Sequence, residues 1–442
     1  MNEDLSLTYA AMASQSEQAR VYTGYYEGKQ PLLYTHERLR QVFGRSTVNF
    51  IQNWVAVVVD STLDRIVFKG WDNPDPDANE LLDGYYENNR LRWISRQVHR
   101  DAVVTGNGFL MVDLVDGLLR TYYNSPEQVV VLYKDDDPSE KYVGAKSFYD
   151  SASNTSHYNI YYPDHIEKYA QEGKIGSYSS LRLVDDISNP FGKIPIIHFR
   201  NYNELVNVLP LQNAINKVFS DMMVVAEFSA FPQRWMITNA DISSLVSSPQ
   251  SIMKIPKGAS DEESTSIGEF GTANMGMYLE TIDKLTNAIA IITRTPKHYL
   301  LNTGSNLSGE ALSVMESPLV KKVIQLMEGY EESWKELAGY ITQEKGTTVT
   351  WDKPETTLQM STAQAMQTEV NVGIPLVTVL RRQGWNETDI QQMLSDLEQE
   401  RIRNAKLAKS AYDLALLRLS QNNTPEVPET SEVDQSELAE QE

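Results

Sequence analysis

The sequence predicts an α+β protein, mainly helical, with a mixed first half and a helical second half. Three observations lead there. Between residues 109 and 202 the apolar residues fall in short runs, at 109–115, 129–133, 158–162, 181–184 and 194–199, divided by polar turns. That texture suits an antiparallel sheet rather than strand–helix–strand crossovers. Beyond Pro210 the apolar residues instead recur every three or four positions through three long segments, the period of a helix with one buried face. Finally, residues 421–442 carry seven acidic side chains and no Lys, Arg or aromatic residue. Such a segment buries too little apolar surface to offset the entropy of ordering, so disorder is expected there.

Taken in order, residues 47–68 place Phe50, Trp54, Val57, Val58 and Leu63 at near-helical spacing and pass into a short strand at 65–68. Residues 71–77 (WDNPDPD) read as a turn-rich break. Residues 79–104 form one or two helices with Leu82, Tyr85, Tyr86, Trp93, Ile94 and Val98 as the apolar stripe. Three long helices follow, over 210–228, 277–292 and 308–342, the last marked by Leu312, Leu319, Val323, Tyr330, Trp334 and Leu337. At 1.5 Å per residue this third helix reaches roughly 50 Å. Pro318 lies inside it and removes one backbone bond, so a kink is expected near Val314. A small α/β insert at 231–274, with strand-like 234–238 and 251–255, separates the first two helices. A 15-residue connection at 293–307, rich in Pro, Asn, Gly and Ser, separates the second and third; structureless stretches that long are usually functional. A strand at 347–351 and helices over 361–380 and 387–419 complete the series.

Composition narrows the function. The 442 residues are 41% apolar and contain no cysteine, which excludes disulfides, thiolate zinc sites and a cysteine nucleophile. The formal charge is −21, with 39 Lys and Arg against 60 Asp and Glu. Seven of those charges belong to the tail, so the remaining chain is acidic without being extreme. An acidic chain argues against a simple nucleic-acid binder, which normally shows a basic face. No run approaches a membrane span, and residues 1–20 lack the basic start of a signal peptide, so a soluble protein is expected.

The search for catalytic chemistry returns nothing specific. His36, His99, His157, His165, His198 and His298 show no metal-ligand spacing, and His198, in an apolar run, reads as a strand residue. The stretch from Gly24 to Lys29 has three residues between its glycines where a phosphate loop needs four, and Gln30 in place of Ser or Thr. Gly106 and Gly108 lack a third glycine at Met111, so they make no dinucleotide-binding motif. Asp135, Asp136 and Asp137, just before Pro138, read as a solvated turn. Neither an enzyme activity, a cofactor nor a metal is expected.

Several stretches together resemble one family. NPFGKIPIIHF at 189–199, LQNAINKVFSD at 211–221, TP at 295–296, SGEAL at 308–312 and ESPL at 316–319 follow one another as in the portal proteins of tailed double-stranded-DNA bacteriophages, of the siphophage type. Each motif alone is weak; their order and spacing are specific. The resemblance runs from about Thr47 to Asp396. It implies a phage portal fold with a wing (1–209), stem helices (210–230 and 275–292), a clip (231–274), a tunnel loop (293–307), a long kinked helix with a return strand (308–360) and crown helices (361–420).

The resemblance also implies a ring, typically of twelve copies, at one vertex of the virion capsid, assembled in the host cytoplasm. DNA would pass through it during packaging and ejection. Implied partners are further copies of the chain, the terminase large subunit, the major capsid and scaffolding proteins, the head–tail adaptors and double-stranded DNA held without sequence preference. Twelve helices side by side at roughly 10 Å trace a ring about 38 Å across and leave an opening of about 28 Å, enough for a B-form duplex. Such a channel must not grip its cargo, because neutralising many phosphates makes binding tight. The long helix holds six Glu (310, 316, 328, 331, 332, 336) against Lys321, Lys322 and Lys335, which reads either as a repulsive wall or as an ordinary solvated face.

The residues expected at the tunnel loop are Arg294, Lys297, His298, Asn302, Ser305 and Asn306, with Pro318 as the helix kink. Arg294 and Lys297 have an alternative role as caps of the preceding helix. Asp261, Glu262 and Glu263 are the expected partner surface of the clip. Arg401, Arg403, Lys406 and Lys409 are expected to pair with Glu398, Glu400 and Asp413 rather than to face DNA. Two other classes compete: another virion assembly protein, such as a capsid or neck component, and a carbohydrate-active enzyme suggested by 23 Tyr and 7 Trp. The module inserted between two helices favours the portal.

Overall fold

The structure, a computed structural model, describes residues 3–31, 51–230, 234–237, 266–269, 274–301, 309–355, 366–382, 385 and 387–421. It divides into two units, Met1–Thr356 and Thr357–Glu442.

The first unit opens with a helix that the sequence reading did not mark, α1 (Glu3–Tyr26). Its buried line of Leu5, Thr8, Met12, Ser16 and Ala19 repeats every three or four residues, but two of the five are polar and two are small. Leu5 and Met12 lie against Val143, Tyr158 and Ile160 of a five-stranded sheet. Next come α2 (Trp54–Leu63), capped by the Asn53 side chain, and β1 (Phe68–Asp72). The strand lies later than the expected 65–68, and the turn-rich stretch starts only at Asn73. The reason is tertiary: Trp71 is buried and donates to the Trp334 carbonyl, and β1 pairs antiparallel with β12 (Thr348–Trp351).

Two helices follow, as one of the two expected arrangements had it. In α3 (Pro76–Asn88), Asp75 caps the first turn and Pro76 occupies a position where no N–H is needed. In α4 (Leu91–Thr105), Trp93 is 65% exposed, so it lies outside the buried stripe to which it was assigned. Gly106 ends α4 with φ of +87°. At Gly108 a Cβ would come within 2.4 Å of the Val98 carbonyl. Both glycines are therefore explained by chain geometry, without a dinucleotide-binding turn.

The strands form antiparallel sheets, as the short-run texture predicted. β2 (Asn107–Val115) lies between β3 (Leu118–Asn124) and β9 (Ile196–Arg200). A meander of β4 (Val129–Tyr133), β5 (Lys141–Asp150), β6 (Thr155–Tyr161), β7 (His165–Glu172) and β8 (Arg182–Ser188) makes the five-stranded sheet. His198 is a buried strand residue whose ring nitrogens bond Tyr133 Oη at 3.0 Å and Asn107 Oδ1 at 2.9 Å.

The long helices are α5 (Leu205–Ala230), α6 (Met275–Thr293), a single turn α7 (Lys297–Leu300) and α8 (Gly309–Ile341). Between α5 and α6 the chain forms β10 (Arg234–Ile237) and β11 (Ser266–Glu269), which pair antiparallel; the expected strand at 251–255 lies outside the described residues. The largest core gathers around α8. Trp334 stacks on Phe68 at 3.8 Å between ring centres, and Leu319, Val323, Met327, Tyr330 and Leu337 bury against α3, α4, β1, β2 and β9.

The second unit holds helical backbone at 366–371, then α9 (Leu376–Arg382) and α10 (Glu387–Gln421). The single helix expected over 361–380 is interrupted by a turn at 372–373 followed by Pro375, which cannot continue it. Val379, Leu380 and Ile390 form its buried centre. The expected disordered tail lies outside the described residues. No described helix is long and apolar enough to cross a membrane.

Candidate functional site

The feature that organises the second half is a helix pair with a β module at its far end. The chain leaves the body along α5, forms the β10–β11 pair, and returns along α6, which packs beside α5. The root of the pair is built from residues of LQNAINKVFSD. Gln212 and Asn216 are buried, and their side-chain oxygens accept from the backbone N–H groups of Trp54 and Gln52, each at 3.0 Å. These are groups around the start of α2 that lack partners within the helix. The side-chain oxygens of two polar residues on a buried face are thus satisfied at the start of another helix, which fixes α5 to the body. Asn203 caps α5 by accepting from Leu205 N–H at 2.9 Å. Pro210 lies inside the helix, five residues beyond its start, so its place as an expected helix boundary is corrected. Val58, Val59, Leu205, Val208, Ile215, Ile282 and Ile289 fill the space beneath the pair.

At the other end of α6 the chain turns toward α8. Arg294 caps α6 in the left-handed region, φ +56°, with its N–H bonded to α6 carbonyls. Its side chain does not cap the helix: it reaches Gln325 of α8 at 3.3 Å. The expected loop is a helical turn over its first part, because burial of Leu300 seats α7 against the core beneath the pair. Lys297 heads α7 and is exposed, with no ion pair among the described residues. His298 is placed differently from Lys297. Its side chain is only 20% exposed, packs edge-on against Tyr299 and lies 3.7 Å from Glu316. Asn302, Ser305 and Asn306 lie outside the described residues, as do Asp261, Glu262 and Glu263.

Two buried ion pairs hold this junction. Arg65 donates to Glu316 Oε2 at 2.9 Å, to Tyr299 Oη at 2.9 Å and to the Pro354 carbonyl at 2.6 Å. Tyr299 in turn donates to Glu316 Oε1 at 2.9 Å. Lys322 donates to Glu204 at 2.6 Å and to the carbonyl of Thr293, the last residue of α6, at 3.0 Å. The helix ends at 293 and 297 are therefore tied to α8 at Glu316 and Lys322. No signal in the sequence marked Arg65, Tyr299 or Glu204, since each partner is remote along the chain.

These contacts revise the charge reading of α8. Glu316 and Lys322 are buried in the junction, and Glu336 bonds Lys141 inside the body. Burial pushes the Lys141 ammonium below its ordinary range, against the opposing pull of Glu336. Lys335 pairs with Glu331 and Glu332. Glu310 lies outside the residues whose exposure is described; among the others, the exposed charged residues of α8 are Lys321, Glu328 and Glu332. Pro318 is exposed and the helix continues through it. On α10, Arg401, Arg403, Lys406 and Lys409 are exposed and, among the described residues, form no ion pair with Glu398, Glu400 or Asp413. The pairing expected there is not formed.

The first unit thus joins a body, a tied helix pair and a strand module at the tip of that pair. Against it stands the family comparison: residues 9–407 match the family described as phage portal protein, SPP1 Gp6-like. The chain belongs to this portal family. A relative at lower identity agrees, the portal protein of Mycobacterium phage D29, which is 23% identical over 362 residues covering 74% of this chain and 71% of the relative. The match includes the first helix from residue 9 and the first part of α10, up to residue 407, and so extends beyond the 47–396 stretch in which the motifs lie.

Proposed function

We propose that this protein is the portal subunit of a tailed bacteriophage, a structural protein that forms a ring of about twelve copies at one capsid vertex. The observation that carries the reading is the helix pair: α5 and α6 project a strand module from the body and are locked at their root by Gln212, Asn216 and Lys322. In the ring, the body would be the wing, α5 and α6 the stem, residues 231–274 the clip and the second unit the crown. Copies of α5 and α6 side by side would enclose a channel wide enough for duplex DNA. The clip would meet the terminase motor during packaging and the adaptor proteins afterwards, with the capsid and scaffolding proteins around the wing.

The junction gives the channel its narrow point. Lys297 is exposed at the head of α7, while Arg65, Glu316 and Lys322 hold its surroundings in place. Lys297, with Asn302 and Asn306, would touch phosphates transiently; a cation at one point per subunit attracts DNA without the multiple neutralisation that makes binding tight. His298, turned toward Glu316, supports the junction rather than the DNA. The test is packaging with the triple variant Lys297→Ala, Asn302→Ala, Asn306→Ala. DNA filling should fall while rings assemble normally; unchanged filling contradicts the role of this loop.

A further inference from the structure

A second surface lies at the opposite end of α8. Between α3 and the tip of the β2–β3 hairpin runs an open groove of about 1070 Å³. Its lips are Leu81 on α3 and Leu114 and Leu118 on the hairpin, which are 59%, 49% and 58% exposed. Phe191, Tyr340 and Ile341 also line it. Three exposed leucines converging on one groove are not the scattered apolar residues of an ordinary surface.

The α3 side of the groove is acidic. Asp77 and Glu80 line it, and Asp83 and Glu87 follow on the same helix, all exposed; α3 carries no Lys or Arg. Two cations sit nearby. Arg120 is on the opposite wall, directed to the Asn88 carbonyl at 3.4 Å, and Lys193 lies 3.5 Å above the Tyr340 ring. The outer edge of β3 is partly occupied, since Asn89 accepts the Thr121 N–H at 3.0 Å and Tyr85 bonds the Thr121 hydroxyl at 2.5 Å. An added strand would meet backbone groups already satisfied. A helix laid between α3 and the hairpin would insert an apolar face between the leucines and set its flanking charges against Asp77 and Glu80.

We propose that this groove receives an amphipathic helix with Lys or Arg flanking its apolar face, supplied by another protein of the virion or its assembly scaffold. Position supports an outside partner. Glu316, at the channel junction, and Tyr340, at the groove, are separated along α8 by roughly 36 Å at 1.5 Å per residue. In a ring with the junction at the channel, this separation leaves the groove clear of the DNA path and open to another protein. The inference rests on the portal reading and adds a recognition surface to it.

The experiment places the photo-crosslinker p-benzoylphenylalanine at position 81 or 118, with position 183 on the exposed β8 as control, in cells assembling particles from this phage's structural proteins. Crosslinked segments are sequenced by mass spectrometry. The expected result is a crosslink from 81 and 118, but not 183, to a basic amphipathic helix of a different protein. Adding Asp77→Lys and Glu80→Lys should lower the yield from 118 by about tenfold, the loss of a modest interaction energy. Particles that contain the protein but show no crosslink above the control overturn the groove inference alone. So does a crosslink to another copy of this chain, or to an acidic or extended segment. Absence of the protein from particles overturns the portal reading, and the groove inference with it.

Discussion

The body around α8 and the C-terminal unit around α10 are both built on helices more than 30 residues long, yet they are stabilised differently. In the body, α8 buries its apolar face against α3, α4, β1, β2 and β9 and turns Glu316, Lys322 and Glu336 into internal contacts. In the C-terminal unit, α10 buries Ile390 near its start and exposes Leu407, Tyr412, Leu414, Leu416 and Leu417 further on. The same local propensity thus produces a helix that completes its own core and a helix that leaves apolar residues in solvent. Core packing stabilises the first, whereas the second holds little buried apolar surface along its later half.

The sharpest contrast is a pair of truncations. Trp334→Ala should destabilise the isolated subunit by about 3–5 kcal/mol, because it empties the centre of the aromatic cluster. Leu407→Ala should change it by less than about 0.5 kcal/mol. Urea unfolding of both variants measures the difference, and equal effects would abolish the distinction.

The junction belongs with the body, so breaking it should cost nearly as much. Glu316→Ala leaves the Arg65 guanidinium buried without its carboxylate and should destabilise by about 3 kcal/mol. Glu316→Gln, which keeps a hydrogen-bond acceptor, should lose less. Thermal unfolding at fixed protein concentration separates the two.

A third test uses pH. Burial holds His99 and His198 neutral and lowers both from their usual value near 6.5 to about 3; Lys141 and Arg200 add to the effect at His198. The unfolded chain binds protons at both sites below pH 6.5, and the folded chain does so only near 3. Stability should therefore be unaffected by these groups above pH 6.5 and fall as pH drops from 6.5 toward 3. The slope is at most about 1.4 kcal/mol per pH unit for each residue. His198→Gln should flatten that slope in urea titrations at pH 7, 6 and 5. The smallest expected effect is at the surface: Lys335→Ala, which removes its pairs with Glu331 and Glu332, should cost at most about 1 kcal/mol and less at high salt.

Much of this arrangement is visible in the chain itself. The long helices and the antiparallel strands follow from periodicity, and the insert between two helices from the change of texture at 231–274. What stayed hidden depends on contacts between distant residues. α1 hides because Thr8 and Ser16 occupy its buried line. β1 begins three residues later than its local pattern indicates because Trp71 is held by Trp334. The acidic count on α8 suggests a surface because nothing local distinguishes Glu316 and Glu336, which face Arg65 and Lys141, from Glu328 and Glu332, which are exposed. At the candidate site, Lys297 and Arg294 are found exposed, whereas His298 turns inward under the influence of Glu316.

The most direct test of the portal reading is electron microscopy of the purified full chain. Ring-shaped particles of about twelve subunits, with a central opening wide enough for a DNA duplex and α5 and α6 alongside it, are the predicted result. A monomer, or a closed oligomer with no axial channel, would contradict it.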